Sequence, residues 1–234
     1  PRVPFERRHG RAMTKPKWLG LPPILCSRMA TGALITIWTI VVAGGLYAQA
    51  AYVQRPGAIA DPPTAVPELP PSQSGRYTLV MAVHPECPCT RASLGELQRL
   101  TAKLRDSLDL AFVVYTPDLP GADWLSDFRD RMRRLGFEGE VIVDPTGEKA
   151  AAMGALTSGS VVLLDPAGAP RFWGGITSGR GHQGDNLGSD AVLAIVRDGS
   201  TETRTTPVYG CPITTPLSPA RPTDATPACC EETP

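Results

Sequence analysis

A stretch without a single charged side chain, residues 29–54, constrains this chain more than any other feature of its sequence. The middle of the stretch reads GALITIWTIVVAGGLYAQAAY. About 20 consecutive apolar residues span the hydrocarbon core of a bilayer as a helix. Core helices of globular domains seldom run this long without a charge. The stretch therefore predicts a single transmembrane helix at residues 29–52.

The charges on either side of this stretch predict its orientation. The basic residues of the preceding segment are Arg2, Arg7, Arg8, Arg11, Lys15, Lys17 and Arg28, and its only acid is Glu6. After the stretch, Arg55 stands alone. Because cytoplasmic flanks carry the excess of Lys and Arg, we expect residues 1–28 in the cytoplasm. The chain beyond residue 53 is then extracytoplasmic (periplasmic).

A cleaved signal peptide is the alternative to a membrane anchor. Ala48-Gln49-Ala50 fits the small-x-small pattern that a signal peptidase accepts. Against this, the apolar stretch exceeds the core of about 7–15 residues that is typical of signal peptides. Met13 offers an initiation site, and the residues before it are set aside from the fold prediction. The domain that follows is exported under either interpretation.

Proline usage divides the rest of the chain. The 25 prolines concentrate at residues 56–71 and 207–234. This predicts a stiff, Pro-rich linker at 53–75 and a Pro/Thr-rich tail at 213–234, with one domain at 76–212. The 23 basic and 23 acidic residues balance, so no basic field indicates binding to nucleic acid.

The pattern of apolar residues within the domain predicts short strands that alternate along the chain with amphipathic helices. Strands are predicted at 77–83, 110–115, 140–143, 160–164 and 171–173, and helices at about 90–108, 124–135, 148–153 and 190–197. The order β-α-β-α-β-α-β-β-α indicates a mostly parallel α/β sheet with a terminal hairpin and helix, which is a thioredoxin-like fold. In the first helix, the leucine spacing predicts buried Leu97 and Leu100, with Glu96 and Arg105 exposed.

Two cysteines lie where the first strand gives way to its helix, in the segment His84-Pro85-Glu86-Cys87-Pro88-Cys89. The N–H groups and the dipole at a helix N-terminus stabilise a thiolate. In an exported compartment, such a dithiol can exchange with disulfides. A disulfide across one intervening residue closes a tight ring, which we expect to be strained and readily reduced. A charged His84 would raise the thiolate content further, and His84 is also a candidate contact for a substrate or partner.

A glycine-rich loop after the hairpin, residues 178–186, carries further polar groups. Arg180, His182, Asp185 and Asn186 are predicted to contact a substrate or partner beside the cysteine helix. Cys211, a few residues beyond the domain's last helix, either pairs with a tail cysteine (Cys229 or Cys230) or returns to the reactive centre.

These motifs resemble the membrane-anchored thioredoxin-like proteins of bacteria, in particular the RedB group. The likeness extends over residues 77–212 and includes His84–Cys89, Gly174–Thr177, Arg180–Asn186 and Gly210–Pro212. The resemblance implies a thiol–disulfide oxidoreductase that acts on protein thiols or disulfides through Cys87 and Cys89, without a cofactor. By analogy with thioredoxins, Cys87 is the exposed nucleophile and Cys89 lies deeper in the helix.

One departure from ordinary thioredoxins leaves a metal function open. Thioredoxins have a cis-proline before the strand that follows their third helix, whereas this chain has Ser158-Gly159-Ser160 there. That proline discourages metal binding at the cysteines. The alternative function is a copper(I) metallochaperone or assembly factor like those of the Sco family, with Cys87, Cys89, His182 and Cys211 as ligands. A redox-inert adaptor is a third interpretation.

Overall fold

The computed structural model describes residues 23–60, 66, 75–117 and 123–213. The chain divides into two compact units, Pro1–Gln49 and Ala50–Pro234. Most of the predicted Pro-rich linker and almost the whole tail, including Cys229 and Cys230, lie outside the described residues. The predicted cytoplasmic segment is described only from Pro23 onward, and the side chain of Cys26 is not described.

The apolar stretch forms α1 (Pro23–Val53), which is long and apolar enough from Ser27 to Val53 to cross a membrane. Large apolar side chains are exposed all round this helix, among them Leu34, Trp38 and Val41. A helix that is apolar on every side is suited to hydrocarbon rather than to water. The prediction of one long apolar helix before the domain is therefore confirmed.

The domain is built on a five-stranded sheet in the order β3-β2-β1-β4-β5. The strands are β1 (Tyr77–Val83), β2 (Leu108–Tyr115), β3 (Glu140–Asp144), β4 (Ser160–Leu164) and β5 (Pro170–Gly175). The first three strands run parallel, whereas β4 is antiparallel to β1 and to β5. The helices are α2 (Thr90–Leu104), α3 (Trp124–Leu135), α4 (Glu148–Ala152) and α5 (Leu187–Asp198). This order of elements confirms the thioredoxin-like α/β fold.

The core lies in two layers, one on each face of the sheet. Alternate residues of β1 point to opposite faces, so that Met81 joins one layer and Val80 joins the other. The first layer contains the leucines of α2 together with apolar residues of α3 and α5. The second layer is smaller and includes Met153 and Ile213. Both layers support β1, the strand that leads into the cysteine segment.

The surface of α2 differs from the sequence prediction at one residue. Leu97 and Leu100 are buried as expected, but Glu96 is also buried, with 3% of its surface exposed. The prediction that Glu96 is exposed is wrong because the loop before α5 covers it. The N–H of Gly184 in that loop donates a 2.7 Å hydrogen bond to a Glu96 carboxylate oxygen. The side chain of Arg105 lies outside the described part of the chain.

The remaining differences from the predicted elements lie at the ends of helices and of the strands β2, β3 and β5. The helix α2 stops at Leu104, and a short 3₁₀ turn, Arg105–Ser107, leads directly into β2. The helix α5 begins at Leu187 because Asn186 caps it: the Asn186 side chain accepts a 2.8 Å hydrogen bond from the N–H of Ser189.

Candidate active site

The cysteine segment forms a hydrogen-bonded turn between β1 and α2. The N–H of Cys87 donates to the carbonyl of His84 (3.0 Å), and the N–H of Thr90 donates to the carbonyl of Cys87 (3.1 Å). The Cys89 carbonyl accepts hydrogen bonds from the N–H groups of Ala92 (3.0 Å) and Ser93 (3.3 Å). Cys89 therefore lies at the start of α2 and Cys87 just before it, where the helix dipole favours negative charge.

Ser158 closes one side of this turn, at the position where sequence analysis found no proline. Its hydroxyl accepts the N–H of His84 at 2.8 Å and lies 2.8 Å from the hydroxyl of Thr90. Both hydroxyls are completely buried. They fix the end of β1 and the first turn of α2 relative to the segment before β4. The sequence marked Ser158 only as the place of a missing proline and indicated no such role for Thr90.

An extended strap, residues 205–213, brings the third thiol to the site. The Cys211 carbonyl accepts a 2.8 Å hydrogen bond from the N–H of Ser158, and the N–H of Ile213 donates to the carbonyl of Leu156 at 2.9 Å. The N–H of Cys211 donates to the sulfur of Cys87 at 3.3 Å. The strap therefore places Cys211 beside Cys87, whereas its other predicted partners, Cys229 and Cys230, lie outside the described residues.

Arg180 joins the glycine-rich loop to this strap. Its guanidinium donates to the carbonyl of Gly210 (2.6 Å) and to that of Arg55 (3.2 Å), and it lies 5.2 Å from the centre of the Tyr52 ring. The backbone N–H of Arg180 donates to the carbonyl of Val53 at 3.0 Å. These contacts hold a positive charge beside the thiols of Cys89 and Cys211, where it offsets part of the rise in their pKa values.

Exposure of the two predicted redox cysteines is the reverse of the expected order. Cys87 exposes 3% of its surface and Cys89 exposes 8%. The prediction that Cys87 is the more exposed is wrong because Cys211 packs directly onto its sulfur.

Cys87 nevertheless borders a cavity of about 400 Å³, whose other lining residues include Glu86, Arg91, Trp124 and Arg131. A larger cavity of about 640 Å³, along α3 and β3, has no cysteine in its lining.

The three thiols differ in acidity. Burial opposes ionisation of Cys87, but hydrogen bonds from Cys211 and Thr90 outweigh it and lower the pKa of the Cys87 thiol. Burial and the charge of Cys87 raise the pKa of Cys89. Burial and interactions with Cys87 and Cys89 raise the pKa of Cys211 to about 11. The thiolate, which is the nucleophilic form of cysteine, is therefore favoured at Cys87.

The surroundings of His84 disfavour the protonated form of its imidazole. Its ring packs against Tyr115, with centroids 5.4 Å apart, and against Trp124 at 6.2 Å. Burial lowers the pKa of His84, so the imidazole is neutral at neutral pH. A neutral ring supplies no positive charge to Cys87. Hydrogen bonds from Cys211 and Thr90, and not a charge on His84, therefore lower the pKa of the Cys87 thiol.

The other predicted contact residues differ in their exposure. His182 and Asp185 are exposed on the glycine-rich loop. Asn186 is buried, and its amide donates to the carbonyl of Gly184 at 3.0 Å while its oxygen caps α5. The loop thus contributes Arg180 to the site, and Asn186 holds the loop in shape.

The predicted copper ligands are brought together only in part. Cys87, Cys89 and Cys211 converge, whereas His182 is exposed on its loop. Within residues 23–60, 66, 75–117 and 123–213, no group of three or more His, Cys, Asp or Glu residues is arranged to hold a metal ion. The positive charge of Arg180 beside the thiols further disfavours a cation there.

No protein-family model and no curated protein matches this sequence. Solved structures do match its fold. An uncharacterized conserved protein from Geobacillus kaustophilus is 18% identical with a TM-score of 0.53, and the match covers 71% of this chain and 92% of that one. A hypothetical protein from Sinorhizobium meliloti is 18% identical with a TM-score of 0.50, covering 62% and 82% of the two chains.

A secreted disulfide oxidoreductase of Mycobacterium tuberculosis is also among the matching structures. It is 13% identical with a TM-score of 0.38, and the match covers 53% of this chain and 82% of that one. At these identities, the matches concern the fold. Fold does not dictate function, so the chemistry of this chain depends on its own cysteines.

Proposed function

We propose that this chain is a membrane-anchored, extracytoplasmic thiol–disulfide oxidoreductase whose redox pair is Cys87 and Cys89. The observation that carries the proposal is the environment of the Cys87 sulfur. It lies just before the N-terminus of α2 and accepts a hydrogen bond from the N–H of Cys211. These features stabilise a thiolate at the edge of a cavity, as a nucleophilic cysteine requires.

The reaction proceeds by two thiol–disulfide exchanges. The Cys87 thiolate attacks one sulfur of a substrate disulfide, the substrate S–S bond breaks, and a mixed disulfide forms while the other substrate sulfur leaves as a thiolate. The thiol of Cys89 then loses its proton and attacks the Cys87 sulfur. The mixed disulfide breaks, the substrate leaves as a dithiol, and Cys87 and Cys89 are joined. The same steps in reverse oxidise a substrate dithiol.

The proposed location rests on α1 and the charges around it. In this proposal, residues 1–28 are cytoplasmic, 29–52 cross the membrane, 53–75 are a linker, 76–212 form the redox domain and 213–234 are a tail. The apolar surface of α1 and the basic flank before it support this arrangement. Protein thiols and disulfides are the substrates that such a compartment contains. The motif resemblance supports membership of the RedB group.

A redox titration of the full chain in detergent tests the proposal. Cys211→Ser, Cys229→Ser and Cys230→Ser variants are combined so that Cys87 and Cys89 are the only domain thiols. We expect this variant to titrate in glutathione buffers as a two-electron couple, read from the mass added by a maleimide to free thiols.

Further change of either Cys87 or Cys89 to Ser should abolish the couple, whereas Cys26→Ser should leave it unchanged. Persistence of both free thiols at every potential would reject the oxidoreductase. Tight binding of copper(I) together with such persistence would favour the metallochaperone instead.

A further inference from the structure

Contacts of Gly210 and of Cys211 itself fix the position of Cys211. The Gly210 carbonyl accepts a hydrogen bond from the Arg180 guanidinium. The backbone of Gly210 also packs so closely on Ser158 that a Cβ atom at Gly210 would collide with the Ser158 carbonyl oxygen. At Cys211 itself, the carbonyl is bonded to the N–H of Ser158. The strap cannot shift without breaking these contacts. The fold therefore brings the backbone N–H of Cys211 onto the sulfur of Cys87, 124 residues away in the sequence, and the Cys211 thiol beside it.

We propose that Cys211 is a third redox cysteine, which takes the disulfide over from Cys89. This inference rests on the proposed redox function. Once Cys87 and Cys89 are joined, the sulfur of Cys211 attacks the sulfur of Cys87. The Cys87–Cys89 bond breaks, the Cys87–Cys211 bond forms, and the proton lost by Cys211 is balanced by the proton taken up by the departing Cys89 thiolate. Two electrons have passed to the substrate in total, and the transfer itself is redox-neutral.

Proximity satisfies the first requirement of this step. The Cys211 nitrogen lies 3.3 Å from the Cys87 sulfur. The Cβ of Cys211 is two bonds from that nitrogen, so a rotation of its side chain brings the two sulfurs into reach. A disulfide needs its two Cα atoms within about 4.4–6.8 Å, which is compatible with this placement.

Ring size and ionisation both favour the transfer. The ring closed by Cys87 and Cys89 spans a single intervening residue at a fixed helix start, whereas Cys87 and Cys211 are 124 residues apart, so that their ring lacks this short-ring constraint. Ionised Cys87 also contributes to the high pKa of Cys211. When Cys87 enters a disulfide its charge disappears, while Arg180 continues to lower the pKa of Cys211. Cys211 thus becomes easier to ionise when it is needed as a nucleophile.

The consequence is a site with two oxidised forms. With Cys87 bonded to Cys89, the strap is held by hydrogen bonds alone. With Cys87 bonded to Cys211, the strap is covalently tied over the site and Cys89 is again a free thiol. Transfer to Cys211 therefore stores the disulfide in a larger ring and covers Cys87 until the site is reduced.

Peptide mapping distinguishes the two disulfides. Trypsin releases Cys87 and Cys89 together on peptide 77–91, whereas Cys211 lies on peptide 205–234, because the Arg221–Pro222 bond resists cleavage. The full chain carrying Cys26→Ser, Cys229→Ser and Cys230→Ser keeps only the three site thiols. It is treated with one equivalent of the disulfide probe dithiobis(nitrobenzoate), quenched with acid and alkylated at successive times.

We expect the internal disulfide of peptide 77–91 to appear first and the link between the two peptides to replace it. At equilibrium the linked form should exceed the internal one by about tenfold, equivalent to about 1.4 kcal/mol. Each probe molecule should release two nitrothiobenzoate ions. In the added Cys211→Ser variant, only the internal disulfide should form. In the added Cys89→Ser variant, the linked form should appear without the internal intermediate.

The outcomes separate this inference from the proposed function. An internal disulfide that persists in the three-thiol chain, without a link to peptide 205–234, rejects the role of Cys211 and leaves the redox pair standing. Release of one nitrothiobenzoate ion with a stable mixed adduct rejects both. The mapping of the three-thiol chain needs no substitution within the site, so the result does not depend on whether a site variant folds.

Discussion

The carboxylate of Glu96 on α2 accepts a 2.7 Å hydrogen bond from the N–H of Gly184 in the glycine-rich loop. The same carboxylate oxygen is 2.7 Å from the guanidinium of Arg99, whose side chain is half exposed. Through this contact, α2, which begins at the cysteines, is fastened to the loop that carries Arg180.

Replacement of Glu96 by Ala is therefore expected to destabilise the domain. It leaves the Gly184 N–H without its buried acceptor, which costs about 1–3 kcal/mol. The measurement is the free energy of unfolding in urea. Arg99→Gln is the matched control: it removes only the exposed side of the ion pair, and such pairs are worth about 0–1 kcal/mol. Equal losses in the two variants would mean that the hydrogen bond to Gly184 contributes nothing.

The leucine face of α2 gives a second prediction of stability. Leu97 is fully buried in the larger core layer. Leu97→Ala should lower the free energy of unfolding by about 2–5 kcal/mol, the usual cost of a large-to-small change in a core. Lys103→Ala, at an exposed position of the same helix, should change it by less than about 0.5 kcal/mol. A near-neutral Leu97→Ala variant would contradict the packing of α2 on the sheet.

Sequence patterns were sufficient for the scaffold because each strand and helix carries its own local signal. The short apolar run of β1 and the leucine repeat of α2 predicted both elements, and the leucine repeat also predicted the buried face of α2. Glu96 was mispredicted because helical periodicity separates only the apolar face of a helix from its polar face. It does not report that a distant loop packs on the polar face and buries a residue there. The N–H of Gly184 lies 88 residues away in the chain, and no local pattern reports such a contact.

Only the cysteine pair of the candidate site could be predicted from the sequence. Cys87 and Cys89 are adjacent to a strand–helix junction, so their position could be inferred from sequence. The approach of Cys211 and the support by Ser158 depend on how the 205–213 strap crosses the segment before β4. Those contacts depend on the folded chain as a whole. The sequence alone therefore could not decide whether Cys211 pairs with a tail cysteine or returns to the reactive centre.

The acidity of Cys87 gives a third prediction. Thr90 helps to lower the pKa of the Cys87 thiol, and a Thr90→Val variant should raise it by removing the side-chain part of that effect. The measurement is the pH profile of alkylation of Cys87 by iodoacetamide, read by mass spectrometry of peptide 77–91. In the unmodified chain, the midpoint for Cys87 should lie below the ordinary thiol value of 9.0.

Two comparisons make this test specific. The midpoint for Cys211 should lie near pH 11, so the two thiols must titrate in a fixed order. Thr101→Val, which makes the same chemical change on the far part of α2, should leave both midpoints unchanged. A Cys87 midpoint above that of Cys211 would remove the physical basis for Cys87 as nucleophile.

Arg180 gives a fourth prediction, because its charge acts on two of the three thiols. Arg180→Gln should raise the pKa values of Cys89 and Cys211, both of which Arg180 lowers. Arg180 is not among the causes of the shift at Cys87, which should move least. The same alkylation profiles measure all three. Arg171→Gln, which removes a charge from β5 near Asp165, is the control. Unchanged profiles in Arg180→Gln would show that the guanidinium does not act on the thiols.

Membrane topology gives the last prediction, for which the chain contains its own reporters. Cys26 precedes the apolar stretch, whereas Cys229 and Cys230 lie in the tail. The basic flank predicts that these positions are on opposite sides of the membrane. In intact spheroplasts treated with an impermeant reductant, an impermeant maleimide should label Cys229 and Cys230 and spare Cys26. Detergent should then expose Cys26 to the reagent.

Single-site variants make the comparison quantitative. A chain with Cys229→Ser and Cys230→Ser should lose the tail label, while a chain with Cys26→Ser should keep it. Labelling of Cys26 in intact spheroplasts, with a protected tail, would place the domain in the cytoplasm. There glutathione and thioredoxin keep thiols reduced, and a resting disulfide among Cys87, Cys89 and Cys211 would no longer be expected. The side of the membrane therefore decides whether the three thiols can cycle as proposed.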